Sequence, residues 1–254
     1  VSDAGSGTVE KFGYSIPYDG IEPIISGTSD HRQVYGPSLA DAYQITTATT
    51  PGYLQVANEI GEFLDASDAD PANHAVVAFL EFAEPTQELR IALGWGNDEV
   101  SVGEFITDTL SYAVVVDGGL DENILLGADR GNTWKITSED AGLLNEQLTF
   151  QNFYGLGGGT ADDEFIFIDS GSLTGVAEGG EGGFNVLDDS QTTTGRSFDV
   201  SEALNIDKII GGTGVDSLLG LNAHNTWTIE SEDAGSIESV SSYEVPLQGG
   251  DTVV

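Results

Sequence analysis

The chain has 254 residues, with 43 Asp and Glu against 7 Lys and Arg, 34 Gly and neither Cys nor Met, giving a formal net charge of −36. Charge of that sign repels the phosphates of nucleic acid, whose binding depends on Lys and Arg displacing counterions, and it disfavours anionic membrane surfaces for the same reason. Without Cys there is no disulfide and no thiolate metal site, and no apolar run reaches the ~20 residues of a spanning helix, so nucleic acid and membrane insertion are set aside as partners.

Taken in chain order, the N-terminal stretch offers SDAGSGTV (Ser2–Val9) and IPYDGIEPIISGTSD (Ile16–Asp30). YLQVANEIGEFLDA (Tyr53–Ala66) is the best helical candidate in a chain poor in helical patterning, with β-strands broken at Gly61 as the alternative. In ELRIALGWGNDEVSV (Glu88–Val102), Leu89, Ile91 and Leu93 alternate with polar residues. The chain then turns through Gly, Asn and Asp, and Val100 and Val102 resume the alternation, which is the period of a half-buried strand. Further short strands are predicted at YAVVV (Tyr112–Val116), LTFQNF (Leu148–Phe153), EFIFI (Glu164–Ile168) and DKII (Asp207–Ile210). Gly and Asp clusters separate them, and these are the residues that tight turns select.

One stretch occurs twice. NTWKITSEDAG (Asn132–Gly142) returns as NTWTIESEDAG (Asn225–Gly235), at an offset of 93 residues. The similarity extends upstream, where ILLGADRGNTW resembles SLLGLNAHNTW, and DAG appears a third time near the N-terminus, at Asp3, Asp140 and Asp233 in all. Trp134 and Ile136, like Trp227 and Ile229, fall on one face of a strand, so they are expected in the core, with DAG at a corner. Internal repetition with many short strands predicts stacked β units, each covering its neighbour. The fold class expected is all-β: a parallel β-helix or related β-solenoid with Gly/Asp-rich corners. Three modules are drawn, at residues 1–105, 106–210 and 211–254. Both ends read as cuts through repeats, so the chain is expected to be a piece of a longer protein.

GGTGVDSLL (Gly211–Leu219) fits the pattern G-G-x-G-x-D-x-U-x and resembles the calcium-binding nonapeptides of the repeats-in-toxin (RTX) family. The resemblance implies Asp216 as a carboxylate ligand to Ca²⁺ and Leu218 as a core residue. Partial versions at LGWGNDEVSV, DGGLDENILLG and GGGTADDEFIF extend the carry-over to Asp98, Asp121, Asp162 and Asp163. RTX sites are built from consecutive nonapeptides, whereas these copies are spaced apart, so the competing reading is that Gly-Asp corners here are turn chemistry alone. Over most of its length, and most strongly over Asp117–Val254, the chain resembles repeats of very large bacterial surface and secreted haemagglutinin- or adhesin-like proteins. That resemblance implies an extracellular or cell-surface structural segment. Its expected partners are neighbouring copies or the rest of a longer chain, or alternatively a glycan or cell-surface receptor.

Catalytic motifs are missing: there is no HExxH, GxSxG or P-loop, and the seven cations are scattered along the sequence. The reading is therefore of a non-enzyme, and a carbohydrate-active enzyme on a β-helix is the remote alternative. Trp95, in the corner GWGND, is the aromatic residue most expected to be exposed and to meet a glycan or protein.

Overall fold

The alternating segments form strands. The computed structural model describes residues 5–11, 14–21, 30–35, 40–58, 78–105, 110–199, 203–220, 226–231, 234–238, 242–245 and 252–253. Asp3, Asp233, His74, His224 and the 59–66 half of the helical candidate lie outside them. Among the described residues there is no helix, and the molecule is all-β with short strands in parallel-rich sheets.

β1 (Gly5–Lys11) and β2 (Tyr14–Ile21) form an antiparallel pair. β3 (His31–Tyr35) follows, then an antiparallel meander of β4 (Ala42–Thr47), β5 (Tyr53–Asn58) and β6 (Ala78–Ala83). The first half of the helical candidate is thus strand. Leu54 and Val56 are buried in register beside Thr47 and Ile45, and cross-strand packing overrides the local pattern.

From there the chain alternates between two sheets. β7 (Glu88–Ala92), β9 (Ala113–Asp117), β15 (Glu164–Ile168), β17 (Val186–Gln191) and β20 (Lys208–Ile210) belong to a sheet of 12 strands. β8 (Glu99–Val102), β10 (Ile124–Leu126), β14 (Gly155–Gly159), β16 (Ala177–Gly180) and β19 (Ala203–Leu204) belong to a sheet of eight. β21 (Ser217–Leu219) pairs with both β18 (Ser197–Asp199) and β25 (Thr252–Val253) in a three-stranded parallel sheet. Successive visits to a sheet pair in parallel. Glu164 lies beside Val186, and Val186 beside Lys208, a step of 22 residues each time. Both long sheets continue across residue 105, and the 12-stranded sheet continues across residue 210 as well.

Parallel in-register pairing turns the alternating pattern into columns. Trp134, Phe165, Leu187 and Ile209 form one, and Tyr43, Val100, Leu125, Leu156 and Ala177 form another on the second sheet. All of these are buried. Trp134 stacks on Phe165 at 6.0 Å between ring centroids and meets Phe150 edge-on at 5.8 Å, both favoured aromatic geometries. The expected burial of Trp134 and Ile136 is observed.

The repeated stretch differs from the expected corner. β11 (Thr133–Ser138) turns through Glu139 and Asp140 into β12 (Ala141–Leu144), which runs back antiparallel within the same sheet, and β13 (Leu148–Gln151) completes a meander. β22 (Thr226–Ser231), β23 (Ala234–Glu238) and β24 (Ser242–Val245) repeat it, and β24 lies parallel to β20 as β13 does to β9. In the copy at 140–142, Asp140 is therefore in a hairpin turn, and Ala141 and Gly142 open β12. Asp140 sits at φ 53°, a left-handed conformation that Asp tolerates. Its carboxylate accepts from the Thr174 N–H and hydroxyl, and its own N–H donates to the Ser172 carbonyl, so the hairpin is fastened to the loop after β15.

Candidate functional site

The residues singled out as calcium ligands all lie at the turns that feed strands, and the structure gives each a backbone to hold. Asp98, Asp163 and Asp216 directly precede β8, β15 and β21, and all three are buried. One oxygen of Asp98 accepts the N–H of Asp41 at 2.9 Å, one of Asp163 the N–H of Asn132 at 2.8 Å, and one of Asp216 the N–H of Arg196 at 2.8 Å. In every case the donor is the residue before the neighbouring parallel strand. Asn residues continue the pattern. Asn123 accepts from the Asp98 N–H, and Asn185 from the Asp163 N–H. Asp207 in turn accepts from the Asn185 N–H. The result is two ladders, Asp41–Asp98–Asn123 and Asn132–Asp163–Asn185–Asp207, with Arg196–Asp216 as a shorter third.

A glycine precedes most ladder residues, and for a physical reason. A Cβ on Gly118 would come within 2.9 Å of the Asn123 amide nitrogen, on Gly127 within 2.7 Å of Asn132, and on Gly211 within 2.6 Å of the Asp216 carboxylate. On Gly158 it would overlap the Asp163 carboxylate outright. The side chain of the Asp or Asn fills the space left by a residue five positions earlier that has no side chain. This spacing, G-x-x-x-x-[ND] before a strand, also underlies three of the four stretches that resemble RTX nonapeptides; in the fourth, Leu93 stands five residues before Asp98. It identifies Asn123 and Asn132 as well, which a search for carboxylates passes over.

Asp121 and Asp162 lie on the same turns but are exposed. Asp121 accepts from the Gly96 N–H at 3.0 Å and Asp162 from the Phe184 N–H at 2.8 Å, so they join neighbouring turns from outside. The structure does not gather the five Asp into one place: they are distributed along the stack. No group of three or more His, Cys, Asp or Glu able to hold a metal ion occurs among the described residues. Both oxygens of Asp216 are engaged, the second by the Gly212 N–H at 2.8 Å. Since Ca²⁺ takes six to eight oxygens, an ion at these corners would draw mainly on carbonyls and water.

Burial sets the electrostatics. Asp98 is pushed up to about 6, first by desolvation and then by the nearby charges of Asp41 and Asp121, against the pull of the Asp41 N–H. Burial raises Asp163 too, opposed by the Asn132 amide and the N–H groups of Asn132 and Gly159. The second oxygens of Asp98 and Asp163 are buried without a hydrogen-bond partner. Asp189 is likewise raised by burial, opposed by its bonds to Thr192 and Arg196. Arg196 Nε stands 2.9 Å from Asp189 Oδ1, its guanidinium lies 4.3 Å from the Phe167 ring centroid, and it donates to the Gly171 carbonyl. This arginine is a half-buried wedge, one of the scattered cations given a structural place.

Two open features remain. A trough of about 440 Å³ crosses the outer face of the eight-stranded sheet, floored by Gly157, Gly159 and Gly180 and edged by Glu104, Asp129 and Glu178, with no Lys, Arg or His in its lining. At the turns before β8 and β10, Trp95 and Leu120 stand exposed on neighbouring turns. No protein-family model, curated protein or solved structure matches the chain.

Proposed function

We propose that the chain is a parallel β-solenoid serving as a structural segment of an extracellular bacterial fibre or adhesin, without catalytic activity. The observation that carries this reading is the ladder system: at five parallel strand pairs an Asp or Asn side chain before one strand accepts the N–H before its neighbour and ties one pass to the next. A stack fastened in this way is stiff along its axis and needs no ligand to define it. In this proposal the edge strands of the long sheets join the rest of a longer chain or neighbouring copies. The acidic surface, at −36, destabilises a compact state unless cations screen it, which fits a saline or calcium-containing exterior. In this proposal Ca²⁺ gathers at the corners carrying Asp216, Asp98, Asp121, Asp162 and Asp163, and stiffens them.

Small-angle scattering of the 254-residue chain tests the scaffold: a rod-like pair-distance distribution is expected, and that of a compact sphere would sink it. The calcium part has its own test. Metal-stripped protein should gain thermal stability in millimolar CaCl₂ beyond what NaCl of equal ionic strength supplies. Equal shifts in the two salts would reduce the acidity to general screening.

A further inference from the structure

Trp95 is 64% exposed, and Leu120 on the neighbouring turn is exposed as well, so the two make an apolar patch and not a single stray side chain. The turns before β8 and β10 are fastened face to face. Gly94 accepts from the Leu120 N–H at 2.9 Å, Asp121 from the Gly96 N–H at 3.0 Å, and Asn97 from the Glu122 N–H at 3.2 Å. Trp95 and Leu120 thus hold equivalent positions on adjacent turns, and Leu120 is 59% exposed beside it. The approach is close. Gly119 has φ 84°, and a Cβ there would overlap the Gly94 carbonyl, so the two turns cannot slide without breaking these bonds.

The polar groups at this corner are equally fixed. Asn97 and Asp121 are exposed, and each spends one oxygen on the opposite turn. That orients the Asn97 amide NH₂ as a donor and leaves the second Asp121 oxygen as an acceptor. An apolar plate beside a fixed amide donor and a fixed carboxylate acceptor is complementary to a pyranose ring. The ring has an apolar C–H face to lie on indole, and hydroxyls that both give and take hydrogen bonds. Glu99, Asp121 and Glu122 make the surroundings anionic, which disfavours uronates, sulfated sugars and phosphates. We infer that the corner formed by Trp95, Asn97, Leu120 and Asp121 is a binding site for a neutral pyranoside. The site depends only on two adjacent turns, so it stands whether or not the chain forms a rod.

The test is calorimetric titration of the 254-residue chain, in EDTA, with cellotetraose, maltotetraose, mannotetraose and chitotetraose, and with tetragalacturonate as the anionic counterpart. At least one neutral tetrasaccharide should bind and shift tryptophan emission. Affinity should fall at least tenfold, as expected for a central aromatic anchor, in Trp95→Ala and again in the double variant Asn97→Ala with Asp121→Ala, with unchanged circular dichroism. Tetragalacturonate should bind no more than weakly. Failure of all four neutral sugars, equal binding by Trp95→Ala, or preference for the uronate would each overturn the inference. So would sedimentation showing that the parent self-associates through Trp95 and binds no sugar, which would assign the patch to a second copy.

Discussion

Within both long ladders, the Asn and Asp positions do the same work with different atoms. At Asn123 and Asn185 the side-chain oxygen accepts a neighbour's N–H, and the amide nitrogen donates to turn carbonyls, those of Leu120 and Asn152 in one case and Gly182 and Asn205 in the other. At Asp98 and Asp163 the accepting oxygen is kept, but the second oxygen is buried without a hydrogen-bond partner. An unpaired buried polar atom costs about 1–3 kcal/mol, more when charged. The position is therefore shaped for an amide, and a carboxylate occupies it under strain that shows as a raised pKa.

The most damaging way to break the comparison is to remove the space both side chains need. Gly158→Ala would drive a methyl group into the Asp163 carboxylate and the Gly179 carbonyl. The cost should be on the order of 3 kcal/mol, roughly 6–12 °C in melting temperature for a chain of this size. Gly155→Ala on the same strand is the control: its Cβ would meet nothing closer than 3.4 Å, and stability should stay within about 0.5 kcal/mol. Thermal unfolding of the pair checks this, and equal losses would show that the strand, and not the ladder pocket, is sensitive.

Much of this was legible in the chain. The alternation around Trp134 and Ile136 places them in the core because a strand has a period of two wherever it lies. EFIFI becomes β15 over the predicted residues, and the carboxylates picked at Asp98, Asp163 and Asp216 all fall on the ladders. The function of those carboxylates was not legible. GGTGVD reads the same whether its Asp faces an ion or an N–H from a neighbouring turn, since both want an oxygen beside a bare backbone. Nor was the direction of the chain after SEDAG, because Asp and Gly serve a corner between sheets and a hairpin within one equally well. Asn123, Asn132 and Asn185 carry a signal in the glycine before them, yet an amide attracts no attention in a search for ligands. Tyr53–Asn58 became strand through its partners β4 and β6, which local sequence does not contain.

Asp98→Asn sharpens the comparison by giving the acid position the donor that Asn123 has. Asp98 folds with its pKa raised to about 6, above the ~3.9 of an unfolded chain, so the folded state holds the proton more tightly. Stability from this group is complete below pH ~4 and is lost as pH rises to about 6. The substitution should remove that slope and stabilise the protein at pH 8 by on the order of 2 kcal/mol, while changing little at pH 4. Melting temperatures of parent and variant across pH 4–8 decide it: parallel curves would mean that Asp98 is not the proton acceptor.

A last comparison, whose second variant carries the smallest effect, isolates burial from hydrogen bonding. Asp162 and Asp163 are adjacent, and each accepts one backbone N–H from a neighbouring turn at 2.8 Å. Removing the Asp163 carboxylate by Asp163→Ala strands the Asn132 N–H in the interior, while the Asn132 amide nitrogen keeps its bonds to the Ala128 and Arg130 carbonyls. That loss should be about 2–3 kcal/mol. Asp162 is exposed, so water replaces it on Phe184 N–H, and Asp162→Ala should cost about 0.5 kcal/mol or less. Denaturant unfolding of both variants measures the ratio. A large ratio assigns the strength of the ladder to the exclusion of water from its inner oxygens. A ratio near one would mean that the outer acceptors carry as much of the stack as the buried ones.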